Sequence, residues 1–531
     1  MSPAPAPLAV GPETDQRAVI AFLADPKTHE GHAVERFETH GNLIFVAGGD
    51  AFKIKRAVRF DYMDFSTLAK RHAACRRELA VNQRCGGDLY VACIPIRQRA
   101  DGQLSLTGDG AIIEWAVRMR RFEQKDLLST LAHNGRIDAA LAKQLADAVY
   151  ACHAGGERSL PASGTSALRE LAQTIGTGLA NSGAFSRPAT EQLAGGLSQQ
   201  LDAAASVLED RAHRGFVRRC HGDLHLSNIV LWHGRPTLYD ALEFDEALAT
   251  IDTLYDLAFL LMDLDFRGLR PGANTVLNRY LWLSDAADVQ GLLALPLFLA
   301  LRAAIRARVT TDRAAQEHGA TQEREFALAR RYLDAALAYV APAPATLIAV
   351  GGLSGSGKST LAAALAPFIG SAPGAVHLSS DLERKALAGI TELERLPEHS
   401  YTPTARQHVY ARLRDKAKTI LAAKHSVIVD AVFDSESERD QIAAVADALG
   451  VAFSGLWLHA DPQRLVARVA ARRNDASDAT PRVVEAQLGV ATGALSRRWR
   501  AVNADGSAEQ TLQRASAAAG LTLAAPPAAG G

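Results

Sequence analysis

The sequence predicts two domains of different fold class: an α+β domain with two lobes, then an α/β domain whose parallel sheet is flanked by helices. Three observations support this division. A strand, a glycine-rich loop and a helix follow one another from residue 346; an alanine-proline segment stands just before them; and the preceding residues change from mixed elements to a largely helical stretch. The length of 531 residues agrees, since a domain typically has roughly 100–200 residues.

The domain limits depend on the alanine-proline segment. Such a run is semi-rigid and resists both helix and sheet, which makes it a linker. The predicted parts are an N-terminal extension over 1–34, a first domain over 35–340, the linker over 341–345, a second domain over 346–510, and a C-terminal segment over 511–531 whose tail from Ala524 is expected to be disordered.

The composition argues against several classes of partner. Basic and acidic residues number 58 each, so no net charge attracts nucleic acid or a membrane surface. The N-terminus has prolines and no basic region, unlike a signal peptide. The longest apolar stretch, Leu292 to Leu301, is too short to cross a bilayer and contains Pro296. We expect a soluble, cytoplasmic protein with a small-molecule partner; nucleic acid is disfavoured, and the oligomeric state is not indicated.

The cysteines are few, odd in number and confined to the first half of the chain. They lack the close C-x-x-C spacing of zinc sites, and few cysteines are typical of proteins from a reducing compartment. We therefore expect neither a disulfide framework nor a zinc site. The five are Cys75, Cys85, Cys93, Cys152 and Cys220.

The first domain begins with alternating strands. Residues 42–55 read as two strands around a Gly48-Gly49-Asp50 turn. The further predicted elements are a helix over 66–84 opened by Ser66, a strand over 111–121, a helix over 137–153, a strand–loop–strand unit over 216–240, and helices from about Thr250 to Val340. This order predicts a small mixed lobe followed by a mainly helical lobe.

The strand–loop–strand unit contains a pattern typical of phosphotransferases. Asp223 is followed five residues later by Asn228 and then by an apolar strand. An aspartate in this position accepts the proton of the acceptor hydroxyl, and the asparagine coordinates a metal ion. A second strand ends at Asp240, a further metal ligand, for which Glu243 or Asp245 is an alternative. Asp256, at an acidic helix start, is expected to order the loop.

The segments HGDLHLSN, YDALEFDEAL and IDTLYDLAF resemble the aminoglycoside phosphotransferase (protein-kinase-like) family over most of residues 35–335. The resemblance implies a strand lysine on the α- and β-phosphates, paired with a helix glutamate. By position these are Lys53 and Glu78, but Lys55 points the same way as Lys53, which leaves the choice open. No full G-x-G-x-x-G loop is present; His40-Gly41-Asn42 and Gly48-Gly49 are poor substitutes. The family's acceptor pocket corresponds to the helical region 250–335.

The second domain opens with LIAVGGLSGSGKST, a strand followed by a complete G-x-x-x-x-G-K-[ST] phosphate-binding loop and a helix. Glycines let backbone N–H groups surround phosphate oxygens, and the helix directs its positive end at them. Lys358 is expected at the β- and γ-phosphates and Ser359 at Mg²⁺. The predicted nucleotide-binding residues are Gly352, Ser354, Gly355, Ser356, Gly357, Lys358, Ser359 and Thr360.

Three further patterns complete this second predicted site. Asp381 follows a strand and is a candidate proton acceptor, with Arg384 as an anion contact; Ser380 or Asp381 as a plain helix N-cap is the alternative. The run Val427 to Asp430 ends in a carboxylate that suits the Mg²⁺ held at the loop. Arg468 and Arg472 share one helix face and are typical of a lid closing over the transferred group; a solvated basic face is the alternative.

The segments GGLSGSGKST, LSSDLERK, VIVDAVF and DPQRLVARVAARR resemble P-loop kinases related to gluconate kinase, chloramphenicol phosphotransferase and zeta-type toxin kinases, over residues 346–500. Both resemblances imply ATP and Mg²⁺ and transfer of the γ-phosphoryl group to a small hydroxylated acceptor. Two other hypotheses stay open. One is an ATP-binding regulatory protein whose first domain senses a ligand, and the other is a toxin-like or nucleic-acid kinase.

Overall fold

The computed structural model describes residues 15–60, 63–284, 287–473, 475–490 and 492–523. The segment on which the signal-peptide prediction rests and the tail predicted to be disordered lie almost entirely outside these residues. None of the described helices combines the length and the apolar composition that crossing a bilayer requires.

The strands are β1 (Val34–Glu38), β2 (Asn42–Ala47), β3 (Asp50–Lys55), β4 (Arg59–Phe60), β5 (Met63–Asp64), β6 (Tyr90–Gln98), β7 (Leu104–Ser105), β8 (Ala111–Arg120), β9 (Val217–Arg219), β10 (Ile229–Trp232), β11 (Arg235–Leu238), β12 (Thr250–Asp252), β13 (Thr346–Gly352), β14 (Val376–Ser379), β15 (Val427–Asp430), β16 (Ala452–His459) and β17 (Trp499–Asn503).

The helices are α1 (Arg17–Ala24), α2 (Leu68–Gly86), α3 (Leu128–His133), α4 (Ala139–Ala154), α5 (Ser166–Asn181), α6 (Arg187–His213), α7 (Glu246–Ala249), α8 (Thr253–Phe266), α9 (Arg270–Leu283), α10 (Leu295–Ala314), α11 (Gly319–Val340), α12 (Lys358–Leu365), α13 (Ser380–Ala388), α14 (Pro403–Ala422), α15 (Glu436–Leu449), α16 (Pro462–Ala471), α17 (Pro481–Leu488) and α18 (Ala508–Ala519).

The described residues form two compact units, each built from segments that are separated in the sequence. The first unit contains residues up to Gly164, Glu209–Leu260 and Arg306–Arg330. The second unit contains Thr165–Leu208, Leu261–Ile305 and the residues from Arg331 onward. The domain limits stated above stay a prediction.

The first unit is built around a six-stranded antiparallel sheet in the order β1-β2-β3-β8-β6-β7. The hairpin predicted around Gly48 joins β2 to β3, and the residue has a φ of +57°, which glycine adopts without strain. Alternate residues of β2, such as Phe45, are buried on one face of the sheet, where α1 contributes Val19 and Leu23 to the same apolar cluster.

Helix α2 covers the other face of this sheet and brings Cys75 into a cluster with Val117 and Met119 of β8. The helix begins at Leu68, two residues later than predicted. Thr67 is its N-cap and accepts from the Lys70 N–H at 3.3 Å. Ser66 cannot serve because its hydroxyl donates to Asp64 at 2.6 Å, outside the helix.

The second unit contains the predicted parallel sheet, with five strands in the order β14-β15-β13-β16-β17. Strands such as β13 and β15 are buried throughout, as strands with both faces covered are, and the phosphate loop follows β13 at the centre. Helices α12 and α18 share an apolar cluster with this sheet through residues such as Leu361, Ile428 and Ala515.

Helix α9 covers β14, the edge strand of this sheet. Asn278 accepts from the His377 backbone N–H at 2.6 Å, and its amide donates to the Ala375 carbonyl at 3.3 Å. Asn274 donates to the same carbonyl at 3.0 Å. These side chains replace a neighbouring strand and leave the edge unavailable for pairing with another chain.

The prediction that the cysteines form no disulfide is wrong, because the structure joins Cys85 of α2 to Cys152 of α4. Sixty-seven residues separate the two in the sequence, so the pair arises from the packing of the two helices, which cysteine spacing cannot reveal. The free thiols are Cys75, Cys93 and Cys220.

Candidate functional site

The phosphate-binding loop has the backbone that its glycines suggest. Gly352, Gly355 and Gly357 have φ angles of +139°, +86° and +91°, which side-chain-bearing residues rarely adopt. A Cβ atom on Gly355 would lie 2.5 Å from the Leu465 carbonyl oxygen, so the loop also needs a residue without a side chain for space. Helix α12 begins at Lys358, and its first turn leaves backbone N–H groups without helical partners.

The loop lysine and its neighbours leave donors available for an anion. Lys358 donates to the Leu353 carbonyl at 3.1 Å. Its pKa is lowered chiefly by burial, against the opposing effect of Asp430, so the ammonium lacks a full anionic partner. Among the described residues, Ser356 Oγ and Arg472 Nη1 are buried and have no hydrogen-bond partner.

Ser359 and Asp430, the predicted metal ligands of this loop, lie in contact. The Ser359 hydroxyl donates to Asp430 Oδ1 at 2.9 Å, because the parallel pairing of β13 and β15 ends both strands at the same edge. The other carboxylate oxygen lies 2.5 Å from His377 Nε2. Sequence reasoning missed His377, which becomes a neighbour only once β14 is known to lie beside β15. Thr360 lies in the first turn of α12 and is exposed.

Asp381 lies at the start of α13, whose N-cap is Ser379 and not Ser380 or Asp381 as the capping alternative had it. Burial raises the pKa of Asp381, against a hydrogen bond from the Ser477 side chain and the charge of Lys358. A carboxylate near the lysine with a raised pKa is suited to accept a proton.

Arg384 is half-buried, donates to the Ser400 carbonyl at 3.0 Å and packs over the Tyr401 ring at 4.9 Å. Its Nε is buried and has no hydrogen-bond partner among the described residues. The Tyr401 hydroxyl in turn donates to Asp478 at 2.8 Å. One donor of Arg384 is therefore left without a hydrogen-bond partner among the described residues.

The two arginines that the sequence predicts to form a lid make different contacts. The lid role of Arg468 is not supported, because its guanidinium donates to the Ala504 and Gly506 carbonyls at 2.8 and 3.2 Å. Helix α16 ends at Ala471, so Arg472 does not lie on the helical face that the sequence pattern predicts for it. The positive charge of Arg472 contributes to lowering the pKa of Lys358.

Helix α17 also contacts the phosphate loop. The Ser354 backbone N–H donates to Gln487 Oε1 at 2.8 Å, and Leu353 packs against Leu465 and Val484. The sequence pattern gave no signal for Gln487, since nothing in its local pattern indicates where α17 docks.

The first unit holds the second group of predicted residues. Lys53 Nζ lies 2.8 Å from Glu78 Oε1 and 2.6 Å from Asp240 Oδ1. Burial lowers the pKa of Lys53, but the two carboxylates more than compensate, and its pKa is raised well above the ordinary value. Lys53 and Asp240 line a cavity of about 420 Å³ whose apolar wall includes Ile44 and Met119.

The residues that the sequence left as alternatives here make different contacts in the structure. Lys55 is fully buried, does not line the cavity, and contacts Glu78 and Glu243. Glu243 is therefore engaged, and Asp245 caps α7 through the backbone N–H of residue 247. Lys53 and Asp240 are the pair that faces the cavity.

Asp223 and Asn228 lie side by side. The Asn228 amide donates to Asp223 Oδ2 at 2.9 Å and to the Asp223 carbonyl at 3.0 Å. The Asn228 carbonyl accepts from the Tyr239 N–H, and the Tyr239 carbonyl contacts His221, so this loop is joined to the residue before Asp240. The Asp223 side chain is 41% exposed, as a group that meets an acceptor must be.

Asp256 stabilises the backbone of the loop that carries Asp223, as the sequence indicated. Its carboxylate accepts from the His221 and Gly222 N–H groups at 3.0 and 2.9 Å and lies 3.1 Å from His153. A buried carboxylate that accepts backbone N–H bonds fixes a loop strongly.

The Gly48-Gly49 turn is not among the described residues that line the cavity. The Gly49 carbonyl accepts from the Arg121 N–H at 2.9 Å, which ties the turn to the segment after β8. Gly41 packs closely on Met63, where a Cβ atom would lie 2.8 Å from the terminal methyl carbon.

Known proteins are similar to different parts of the chain. Residues 347–494 match the AAA domain family. Uncharacterized proteins of Mycobacterium tuberculosis and Mycobacterium bovis are each 28% identical over 488 residues, 90% of this chain and 92% of theirs.

Two solved structures are similar to parts of the chain. A sugar kinase of Janibacter sp. is 20% identical, with a TM-score of 0.27, over 34% of this chain and 96% of that one. A choline/ethanolamine kinase family protein of Mesorhizobium loti is 17% identical, with a TM-score of 0.37, over 61% of this chain and 97% of that one.

The AAA domain match lies where the sequence predicts a P-loop kinase domain after a protein-kinase-like domain, and the two sheets have the predicted fold classes. The first unit has the antiparallel sheet and the Lys53–Glu78 pair of the former, and the second has the parallel sheet and phosphate loop of the latter.

Proposed function

We propose that the protein is an ATP-dependent phosphotransferase with two kinase-type sites, each transferring the γ-phosphoryl group to a small hydroxylated acceptor. The contact between Ser359 and Asp430 beside Lys358 supports this most directly. It joins a metal-ligand pair to a loop whose backbone is shaped for phosphate.

The residues present fit a nucleotide in the second unit. The positive φ angles of the loop glycines turn backbone N–H groups inward, and the unpaired donors Ser356 Oγ and Arg472 Nη1 add two hydrogen-bond positions. Ser359 and Asp430 offer hard oxygen ligands of the kind that Mg²⁺ prefers. When bound, Mg²⁺ neutralises charge on the β- and γ-phosphates. Lys358 adds a further positive charge.

In the transfer at this site, the acceptor hydroxyl oxygen attacks the γ-phosphorus and the bond from that phosphorus to the bridging oxygen of ADP breaks. The hydroxyl proton passes to Asp381, whose raised pKa suits a proton acceptor. Arg384 and Arg472 each keep a buried donor without a partner among the described residues, and in the proposed transfer Arg384 contacts the acceptor and Arg472 stabilises the charge that develops.

The first unit offers the same set of roles on a different scaffold. The adenine ring fits the apolar wall of the cavity at Ile44 and Met119. Lys53 holds the phosphates, Asn228 and Asp240 offer the metal ligands, and Asp223 accepts the acceptor proton. Asp240 must exchange its contact with Lys53 for one with the metal.

The test measures ATP consumption by the full chain and by Asp223→Asn and Lys358→Ala, against sugars, sugar acids, amino sugars and nucleosides. Lys418→Ala, which removes an exposed lysine from α14, is the matched control. An acceptor-stimulated rate lost in only one site variant assigns that chemistry to one unit. Nucleotide binding without stimulation by any acceptor would contradict the proposal and favour the regulatory hypothesis.

A further inference from the structure

In the first unit, beneath the cavity, five charged side chains of alternating sign form a row of consecutive ion pairs. It passes from Asp240 to Lys53, from Lys53 to one oxygen of Glu78, from the other oxygen to Lys55, and from Lys55 to Glu243. Lys53 and Lys55 lie two residues apart on β3, so both side chains leave the same face of the sheet. Both ends of this row lie in the segment that carries the predicted metal ligand.

Lys55 does not bind the nucleotide in this arrangement. Its side chain is 0% exposed, and it lies 2.7 Å from Glu78 Oε2. The Phe65 ring lies 5.5 Å from its ammonium. Its pKa is lowered by burial but raised more by Glu243 and Glu78, so it stays charged. A permanently charged, buried lysine between two carboxylates acts on their positions and not on solvent or ligand.

The segment after Asp240 is held at several points, and two of its contacts are charged: Lys55 pairs with Glu243, and Arg219 donates to the Leu242 carbonyl. The Asp240 N–H donates to the Tyr90 hydroxyl at 3.0 Å, and the Ala241 N–H donates to Asn82 Oδ1 at 2.9 Å. Phe244 packs against Met63 and Phe65. These contacts fix the backbone, whereas the Lys55–Glu243 ion pair ties the segment to the glutamate that positions Lys53.

We propose that Lys55 is a positioning residue for the first site, and that with Glu243 it sets where Asp240 lies relative to Lys53. The proposal rests on the proposed function of that site. By occupying Glu78 Oε2 it leaves Oε1 for Lys53, which fixes the orientation of the carboxylate. By pairing with Glu243 it holds the segment three residues beyond Asp240. Lys55 thereby fixes the positions of both the predicted metal ligand and the phosphate-binding lysine.

Removing Lys55 has two separable consequences. Two buried carboxylates lose a partner, which destabilises the fold, and the segment carrying Asp240 loses its tether, which weakens metal binding. Removing the charge of Glu243 at the same time relieves the first consequence for one of the two carboxylates but leaves the second consequence unchanged. Stability and metal affinity are therefore expected to diverge in the double variant.

The experiment uses the full chain with Asp430→Asn, which removes the predicted metal ligand of the second unit. Into it are introduced Lys55→Met, Glu243→Gln and both together. Arg118→Met is the control, since it breaks a half-exposed ion pair with Asp50 on the same sheet. Mn²⁺ affinity is measured by electron paramagnetic resonance with a non-hydrolysable ATP analogue, alongside thermal unfolding and the steady-state constants kcat and KM.

We expect Lys55→Met to lower Mn²⁺ affinity and kcat by roughly 10- to 100-fold, the range found when a group supporting a metal ligand is lost. The KM for ATP should change little. The double variant should regain stability but not Mn²⁺ affinity, and Arg118→Met should match the parent. Unchanged Mn²⁺ affinity in Lys55→Met, or recovery of affinity together with stability in the double variant, would overturn the positioning role. A parent protein that binds no Mn²⁺ with the analogue would overturn the proposed function of the site itself.

Discussion

The disulfide between Cys85 and Cys152 gives a prediction whose size follows from its place in the chain. Replacing both cysteines by serine frees the C-terminal end of α2 from α4. Crosslinking across a sequence separation of 67 residues restricts the unfolded chain. The chain-entropy relation for a loop of that length gives about 4 kcal/mol at 25 °C. We expect the unfolding free energy of the first unit to fall by that order.

Urea unfolding of the full chain, followed by circular dichroism, measures this loss. The double serine variant and the reduced wild type should show the same lowered midpoint, and the oxidised wild type a higher one. Cys93→Ser, which removes a half-buried free thiol from β6, is the control and should not respond in this way. Equal midpoints for oxidised and reduced wild type, with the disulfide verified by mass spectrometry, would refute the reasoning.

The disulfide also affects the first site, because α2 carries residues that position the side chains of that site. Glu78 lies two turns before Cys85, and Asn82 between them receives the N–H that follows Asp240. On the other side, His153 follows Cys152 and contacts Asp256 beneath the catalytic loop. Loss of the disulfide should therefore lower turnover at the first site as well as stability.

Three further predictions concern the two sites. Gly355→Ala should weaken nucleotide binding in the second unit by roughly tenfold or more, because its φ is +86° and the added Cβ meets a carbonyl oxygen; calorimetry should show one of two sites affected. The rate at the second site should rise with pH through the raised pKa of Asp381, because the protonated acid cannot accept a proton, and Asp381→Asn should abolish this limb of the profile. Chelating divalent cations should weaken nucleotide binding more at the first site, where Asp240 lies beside Lys53, than at the second site, which contains Lys358. The first site is measured in the Lys358→Ala protein and the second in the Lys53→Met protein. Equal losses of nucleotide affinity in the two proteins would contradict this prediction.

The parts that the sequence predicted well are those encoded locally. The phosphate loop follows from contiguous glycines after a strand, and the Gly48 hairpin follows from alternation on both sides of a turn. The loop at Asp223 and Asn228 was found for the same reason, since its two functional side chains are five residues apart and hydrogen-bond to each other. Short-range patterns such as these determine the local geometry, because the residues concerned are close together in the sequence.

The contacts that sequence reasoning missed join residues far apart in the chain. His377 reaches Asp430 across neighbouring strands, and Gln487 reaches the phosphate loop from a helix more than a hundred positions away. The choice between Lys53 and Lys55 has the same origin. Strand periodicity places both on one face, and only the position of α2 shows which of them meets the cavity.

The two lid arginines show how a correct periodicity can still mislead. A spacing of four residues puts Arg468 and Arg472 on one helical face only while the helix continues. Helix α16 ends at Ala471, so the second arginine takes an extended backbone and reaches the surroundings of Lys358, while the first stays on the helix and binds carbonyl groups after β17. The end of the helix, which patterns place least reliably, thus decides which positive charge faces the phosphates. Lys358 has Arg472 nearby as well as Asp430 and Asp381, whereas Lys53 contacts two carboxylates directly, so the lysine of the first site depends more strongly on a cation to accept the phosphates of a nucleotide.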